Sequence, residues 1–339
     1  MKNYLLLLFC FILLGPLFSC RHPAKNESTN AAQVDSTLNA INKSISDNPK
    51  DPALYVKRAD YFVSLERMND ALADATKALE LDPKNKQASI SLSTIYVMVG
   101  KPQQSLDVLN NLIAVDPAFT EAYLKKAKLC LVMKDYEKCA EAVQKVFELD
   151  PYNADAYYLK GVALDENKES TKAVEAFQKA VLYNPRHYDA LMQLGYANSE
   201  SNPAMAIDYF NNALKSIPDS PEAMYNLGML YQENGNPDKA LNIYAEMLKI
   251  NARNKLALYN SGYINLVYLT KYKEGYDFFS RALDVDSLYV DAWYNRGYSA
   301  ELSGDYAKAR HDYTKVLELK VNDAKAIKGL NRLDKIGKK

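Results

Sequence analysis

Beyond residue 50 the apolar residues recur three and four positions apart, the spacing that places them on one face of a helix. The helical stretches are short, come in pairs, and the pairs repeat. Prolines stand at Pro49, Pro83, Pro117, Pro151 and Pro185, each 34 residues after the last, and four of them close units such as "ALELDPKN" or "VFELDPYN". Aligned on that period, the first helix of each pair has a small-residue slot: Ala59, Ser93, Ala127, Gly161, Gly195, Gly228, Gly262 and Gly297. The second helix has another, at Ala71, Ser105, Cys139, Ala173, Ala206, Ala240, Gly275 and Ala309. Four residues later comes a mostly bulky one: Ala75, Leu109, Val143, Phe177, Phe210, Tyr244, Phe279 and Tyr313. Small residues let two helix backbones approach, and large ones beside them fill the space to the next pair. The period predicts a stack of helical hairpins.

The segments "DAWYNRGYSAELSGDYAKARHDYTKVLELK" and "PEAMYNLGMLYQENGNPDKALNIYAEMLKI" resemble the tetratricopeptide repeat (TPR). The resemblance covers about four-fifths of the chain and implies an all-α, right-handed α-solenoid of about eight hairpins with a flanking helix at each end. Repeats start near Pro52, Lys86, Thr120, Ala154, Tyr188, Pro221, Lys255 and Val290, so the array spans residues 52–323. Residues 33–51 read as an amino-terminal flanking helix, and residues 324–339 as a polar helix capping the last repeat, which has no neighbour to bury its apolar face. The fifth repeat is one residue short, at "SESNPAMA", and the seventh one long, at "NLVYLTKYKEG". Ala252, Ser287 and Val321 replace the closing proline in the last three repeats, where looser inter-repeat turns or a local bend are expected.

The amino terminus has a different pattern. "MKNYLLLLFCFILLGPLFSC" has one early lysine, an apolar run and a Gly15–Pro16 break, the layout of a secretory signal peptide over residues 1–19. Residues 17–20, "LFSC", resemble the lipobox of bacterial lipoproteins. That resemblance implies cleavage before Cys20 and lipid attachment to its sulfur, hence a stable membrane anchor. Residues 20–32 then form a polar, lipidated tether. The tether carries no acidic residue beside Cys20, and the location expected is the cell envelope, on the periplasmic face of the outer membrane.

Composition narrows the function classes. Basic and acidic side chains balance at 42 each, without the electrostatic footprint of a nucleic-acid binder, so no nucleic-acid partner is expected. No HExxH, GxSxG, Walker or GxGxxG pattern occurs. The three histidines, His22, His187 and His311, lie far apart in a chain whose repeats touch only their neighbours. Neither catalysis, nor a metal, nor a cofactor is expected. Cys130 and Cys139 flank the turn of the third hairpin. Facing slots and an oxidising compartment allow a disulfide between them, and both equally suit small apolar core positions.

In TPR arrays the first helices line the concave surface and touch bound peptides. One slot on that face runs Val56, Ile90, Leu124, Tyr158, Met192, Tyr225, Tyr259, Tyr294. The slot one turn on runs Asp60, Thr94, Lys128, Val162, Tyr196, Met229, Tyr263, Tyr298. The carboxy-terminal half is thus rich in tyrosine, fitting the chain's 26 tyrosines against one tryptophan. Tyr225, Tyr259 and Tyr294 match the family consensus, as do Asn226, Asn260 and Asn295, which the resemblance casts as donors to a peptide backbone. Tyr196, Tyr263 and Tyr298 replace a usually polar residue and mark an interaction surface. Trp293 and Gly297 belong to the packing. The reading is a membrane-anchored scaffold or adaptor that binds a protein or peptide segment and aids assembly or regulation of an envelope complex (secretion, pilus, outer-membrane or cell-wall machinery). The alternative is a small-ligand or glycan receptor.

Overall fold

The computed structural model describes residues 27–336. The signal peptide and Cys20 lie outside the described residues. Among the described residues there are 18 helices and no strands. They form two compact units, one ending at Pro185 and the other beginning at Arg186.

The first unit opens with α1 (Glu27–Asp47). This helix begins ahead of the residue-33 boundary read from the sequence, because no Pro or Gly interrupts its stretch. Four hairpins follow: α2 (Pro52–Ser64) with α3 (Met68–Leu81), α4 (Lys86–Met98) with α5 (Pro102–Val115), α6 (Thr120–Val132) with α7 (Tyr136–Leu149), and α8 (Ala154–Glu166) with α9 (Ser170–Tyr183). The second unit has four more: α10 (Tyr188–Asn198) with α11 (Pro203–Ser216), α12 (Pro221–Glu233) with α13 (Pro237–Ile250), α14 (Lys255–Val267) with α15 (Tyr272–Val285), and α16 (Val290–Leu302) with α17 (Tyr306–Leu319). It closes with α18 (Ala324–Ile336).

Local chemistry starts and stops these helices. Asn85, Asn153 and Asn254 cap first helices, each side chain accepting the backbone N–H of an alanine three residues on. His187 does the same for α10 through Nδ1, and Ser220 for α12. Second helices end at a residue in extended conformation, Asp82, Asp116, Asn251, Asp286 or Lys320, each with φ near −140°.

The turn between repeats does not need its proline. Asn85 N–H donates to Asp82 O at 3.0 Å in a turn that contains Pro83. Asn254 to Asn251 (2.9 Å), Tyr289 to Asp286 (3.2 Å) and Asp323 to Lys320 (3.3 Å) repeat that bond where the proline is missing. The looser turns expected after Ala252, Ser287 and Val321 replaced it are not found. The extended end residue sets the turn.

Within hairpins, the turn absorbs the irregular lengths. In regular repeats one residue takes a left-handed conformation, such as Glu66, Gly100, Lys134 or Gly235. The next N–H then bonds the carbonyl five residues back, as Arg67 to Phe62 and Asn236 to Tyr231. The shortened fifth repeat drops the left-handed residue, and Asn202 bonds Asn198, four back, at 2.8 Å. In the lengthened seventh repeat Lys271 bonds Asn265, six back, at 2.7 Å. The deletion also shortens α10 to 11 residues, whereas the insertion leaves α14 at the 13 residues of the other first helices.

Packing follows the small and bulky slots. A Cβ added at Gly195 would stand 2.5 Å from the Phe210 ring, and one at Gly228 would stand 2.6 Å from Tyr244, so these rings lie directly on glycine backbone. In the first repeats Ala59 and Ala75 pack in one cluster with Phe62, Leu92 and Ile95, and Ser93 bonds Ser105 at 2.7 Å. Each end repeat also has a buried ion pair between its own two helices: Arg58 with Asp74 at 2.6 Å, and Arg296 with Asp312 at 2.7 Å.

Candidate functional site

Four first helices of the second unit, α10, α12, α14 and α16, present all but Tyr158 of the tyrosines singled out in the sequence. Their surroundings divide them into two groups. Tyr196 is committed to its neighbour: its Oη donates to Glu222 Oε1 at 2.5 Å and accepts from Asn226 Nδ2 at 3.1 Å. Its ring meets Phe210 edge-on at 5.5 Å. Burial, reinforced by the Glu222 carboxylate, pushes its hydroxyl pKa far up. Tyr259 is similar, with its ring 5.6 Å from Phe279 and 4.8 Å from Tyr289, and its Oη accepting from Asn295 Nδ2 at 2.9 Å. Tyr225 is half-buried, and burial raises its pKa too.

The asparagines share one role. Asn226 reaches Tyr196, Asn260 reaches Met229 Sδ at 3.7 Å, and Asn295 reaches Tyr259. Each Nδ2 group therefore donates to the first helix of the preceding repeat. Asn260 is only 7% exposed. Their place in this lattice between helices was not visible in the sequence, because a consensus asparagine carries the same letter whether it faces a ligand or a neighbour.

Tyr263 and Tyr298 form the second group. Among the described residues neither hydroxyl has a hydrogen-bond partner. Tyr263 leans edge-on against Tyr268 at 6.3 Å, and Tyr298 stacks on Tyr294 at 6.2 Å with planes 15° apart. Leu256 and Val267 lie on the same face of α14 as Tyr263, seven residues before and four after, and Val267 is 49% exposed. Leu302, one turn after Tyr298 on α16, is also exposed. The result is a stripe on α14 and α16 in which half-buried Tyr263 and Tyr298 stand beside exposed Leu256, Val267 and Leu302.

Its carboxy-terminal end is fixed by α18. Arg332 binds Glu301 through two bonds, 2.6 and 2.7 Å, while Tyr313 Oη donates to the same carboxylate at 2.5 Å. Burial works to raise the Glu301 pKa, and these donors outweigh it and hold it low. The Arg332 guanidinium also sits 5.5 Å over the Tyr298 ring, and Lys325 lies 5.7 Å over Tyr294. Tyr158 belongs to α8 of the first unit, its ring 5.9 Å from Phe177.

Cys130 and Cys139 are both buried with free thiols, and no disulfide joins them. Burial raises both thiols, Cys139 to about 12, which suits core filling rather than reactivity. Among the described residues no cluster of His, Cys, Asp and Glu could hold a metal ion, and no helix is long and apolar enough to cross a membrane.

Comparison with known proteins places this geometry. Tetratricopeptide repeat models match residues 52–85, 131–181, 158–221, 197–259 and 290–323. A DnaJ homolog subfamily C member 3 homolog of Dictyostelium discoideum is 40% identical over 70 residues, 21% of this chain and 14% of that protein. The chain thus spans only a small part of that relative's length. Among solved structures, the C-terminal part of a TPR repeat-containing protein from Cytophaga hutchinsonii superposes with a TM-score of 0.58 at 19% identity, over 70% of this chain and 98% of that one. Pseudomonas aeruginosa pilF gives 0.51 at 17% identity, over 64% and 98%. At these identities the likeness is one of fold.

Proposed function

The chain belongs to the tetratricopeptide repeat proteins, a family of protein-interaction scaffolds, and on that footing we propose that it is a lipid-anchored adaptor holding a protein or peptide segment on the aromatic face of its second unit. The observation that carries this is the stripe of half-buried Tyr263 and Tyr298, their hydroxyls without a partner among the described residues, beside the exposed Leu256, Val267 and Leu302. Contiguous exposed apolar surface is disfavoured unless something covers it, and aromatic residues dominate the energetics of such contacts. A stripe running over adjacent helices suits an extended segment better than a compact small ligand. Tyr196, Tyr225, Tyr259 and the three asparagines serve as the frame that fixes the face.

The proposed anchor rests on the likeness of residues 17–20 to a lipobox, with Cys20 as the residue to be lipidated, and would hold the body in the cell envelope, facing the periplasm from the outer membrane. There the adaptor would aid assembly or regulation of an envelope complex. Co-purification from detergent-solubilised membranes tests the face: Tyr263→Ala/Tyr298→Ala should lose a partner that the parent protein retains. Unchanged partners with an unchanged melting temperature would sink this reading. Cys20→Ser should release the protein from membranes, and retention there would refute the lipid anchor.

A further inference from the structure

The aromatic stripe is not the only candidate surface. In the first unit, residues of α2, α4 and α6, with Glu66 and Met68 from the first hairpin's turn and the start of α3, line a concavity of about 910 Å³. Val63, Ile90, Ile95 and Met98 give it an apolar floor. Carboxylates stand toward both ends: Asp60 and Glu66 from the first repeat, Glu121 from the third. Ser91 Oγ donates to Asp60 Oδ1 at 2.8 Å and fixes that side chain in the wall.

Elsewhere in this unit carboxylates find cations, as Asp74 finds Arg58, Asp116 finds Lys86 and Asp135 finds Lys138. Among the described residues, Asp60, Glu66 and Glu121 are in no ion pair, and Lys125 is the single cation in the lining. Helix-end electrostatics explains Glu121, in the first turn of α6. It does not explain Asp60, well inside α2, or Glu66, which holds a left-handed turn at φ 59°.

We propose that this concavity docks an extended basic segment of a partner protein, its Lys or Arg side chains against the three carboxylates and its aliphatic side chains on the floor. Any occupant that excludes water here without supplying positive charge would strand the carboxylates, at a large desolvation cost. A lone small cation would leave the floor uncovered, and a nucleic acid would be repelled. Three adjacent helices at ~8–10 Å spacing put the two ends ~16–20 Å apart. That is the reach of about five or six extended residues at ~3.3 Å each. The segment therefore carries basic residues about five or six positions apart, with aliphatic residues between them.

The test is binding of the full chain to an array of random octapeptides, with hits remeasured in solution. Hits should be enriched in paired Lys or Arg at that spacing and should weaken as salt is raised. Asp60→Asn/Glu121→Gln should weaken them about tenfold with an unchanged melting temperature. Glu66→Gln, in an exposed turn, should weaken them severalfold and serves as the readout if the double variant misfolds. Tyr263→Ala/Tyr298→Ala should leave these peptides bound, which separates this surface from the aromatic face. Array hits without basic enrichment, or basic hits indifferent to the carboxylate variants, would overturn the proposal.

Discussion

Arg296 on α16 holds Asp312 on α17 through two parallel hydrogen bonds, 2.7 Å from Nε and 2.8 Å from Nη2. The Asp312 side chain is 1% exposed, and the guanidinium lies 4.4 Å from the centroid of Trp293. Burial opposes the arginine's charge, and the bonds and charge of Asp312 outweigh it, raising its pKa. Arg58 and Asp74 make the same bidentate pair in the first repeat. An end repeat has a single flanking helix on one side where inner repeats have a hairpin, and in both end repeats this link ties the hairpin's own helices together.

Removing one partner strands a charge. Asp312→Ala should destabilise the carboxy-terminal hairpin by about 3–5 kcal/mol, whereas Arg296→Met/Asp312→Leu should cost much less. Hydrogen exchange resolved along the chain is the measurement, with protection lost in α16, α17 and α18. Equal losses in the single and double variants would show that the pair is not the source.

Gly228 and Tyr244 form a steric lock. Gly228→Ala places a Cβ 2.6 Å from the Tyr244 ring and should cost about 1–3 kcal/mol. Gly228→Ala/Tyr244→Leu should recover part of that loss, seen as a coupling in a double-mutant cycle of urea midpoints. Additive effects would mean the ring does not bear on the glycine.

Thr270 occupies the lengthened turn at φ 53°, a conformation β-branched residues resist. Thr270→Gly should raise stability by about 1 kcal/mol despite losing its bond to Leu269 O. Gly235→Ala, at φ 70° with open space around it, should lower stability by a similar amount. Thermal melts of the two variants should move in opposite directions.

Alkali should unfold the protein from within. Burial pushes the Tyr188 hydroxyl and the Cys139 thiol each up to about 12. Both groups are uncharged when protonated, and both pKa values lie above those of the unfolded chain, about 10 and about 8.5. Their contribution is therefore complete below the unfolded values and disappears as pH rises through the folded ones. Stability should hold to about pH 8 and fall between about pH 9 and about pH 12. Tyrosinate absorbance should rise in two phases, the later one coinciding with loss of helical circular dichroism. A single phase near pH 10 with helices intact would contradict the buried tyrosine environments.

The repeat was legible because packing repeats its demands. Gly195 beneath Phe210 and Gly262 beneath Phe279 are the same small-against-large contact, and such a contact leaves a periodic trace. The Arg–Asp pairs left none, since a charged residue on a helix reads as solvated until a partner 16 residues away is placed beside it. Within the aromatic face, Tyr196, Tyr263 and Tyr298 occupy one sequence slot. Glu222 and Asn226, both reaching back from α12, set Tyr196 apart. The concavity of the first unit was hidden for a related reason. Its walls come from three helices, and its room depends on the small side chains of Ser64, Ser91 and Thr94.

The elastic turns at the hairpin tips have a practical consequence. Because a residue gained or lost there is taken up by one hydrogen bond, the tips are natural ports for foreign sequence. An epitope, a fluorophore-bearing cysteine or a short metal-binding tag grafted after Gly235 or Gly304 should report on the molecule without disturbing the aromatic stripe or the first unit's concavity.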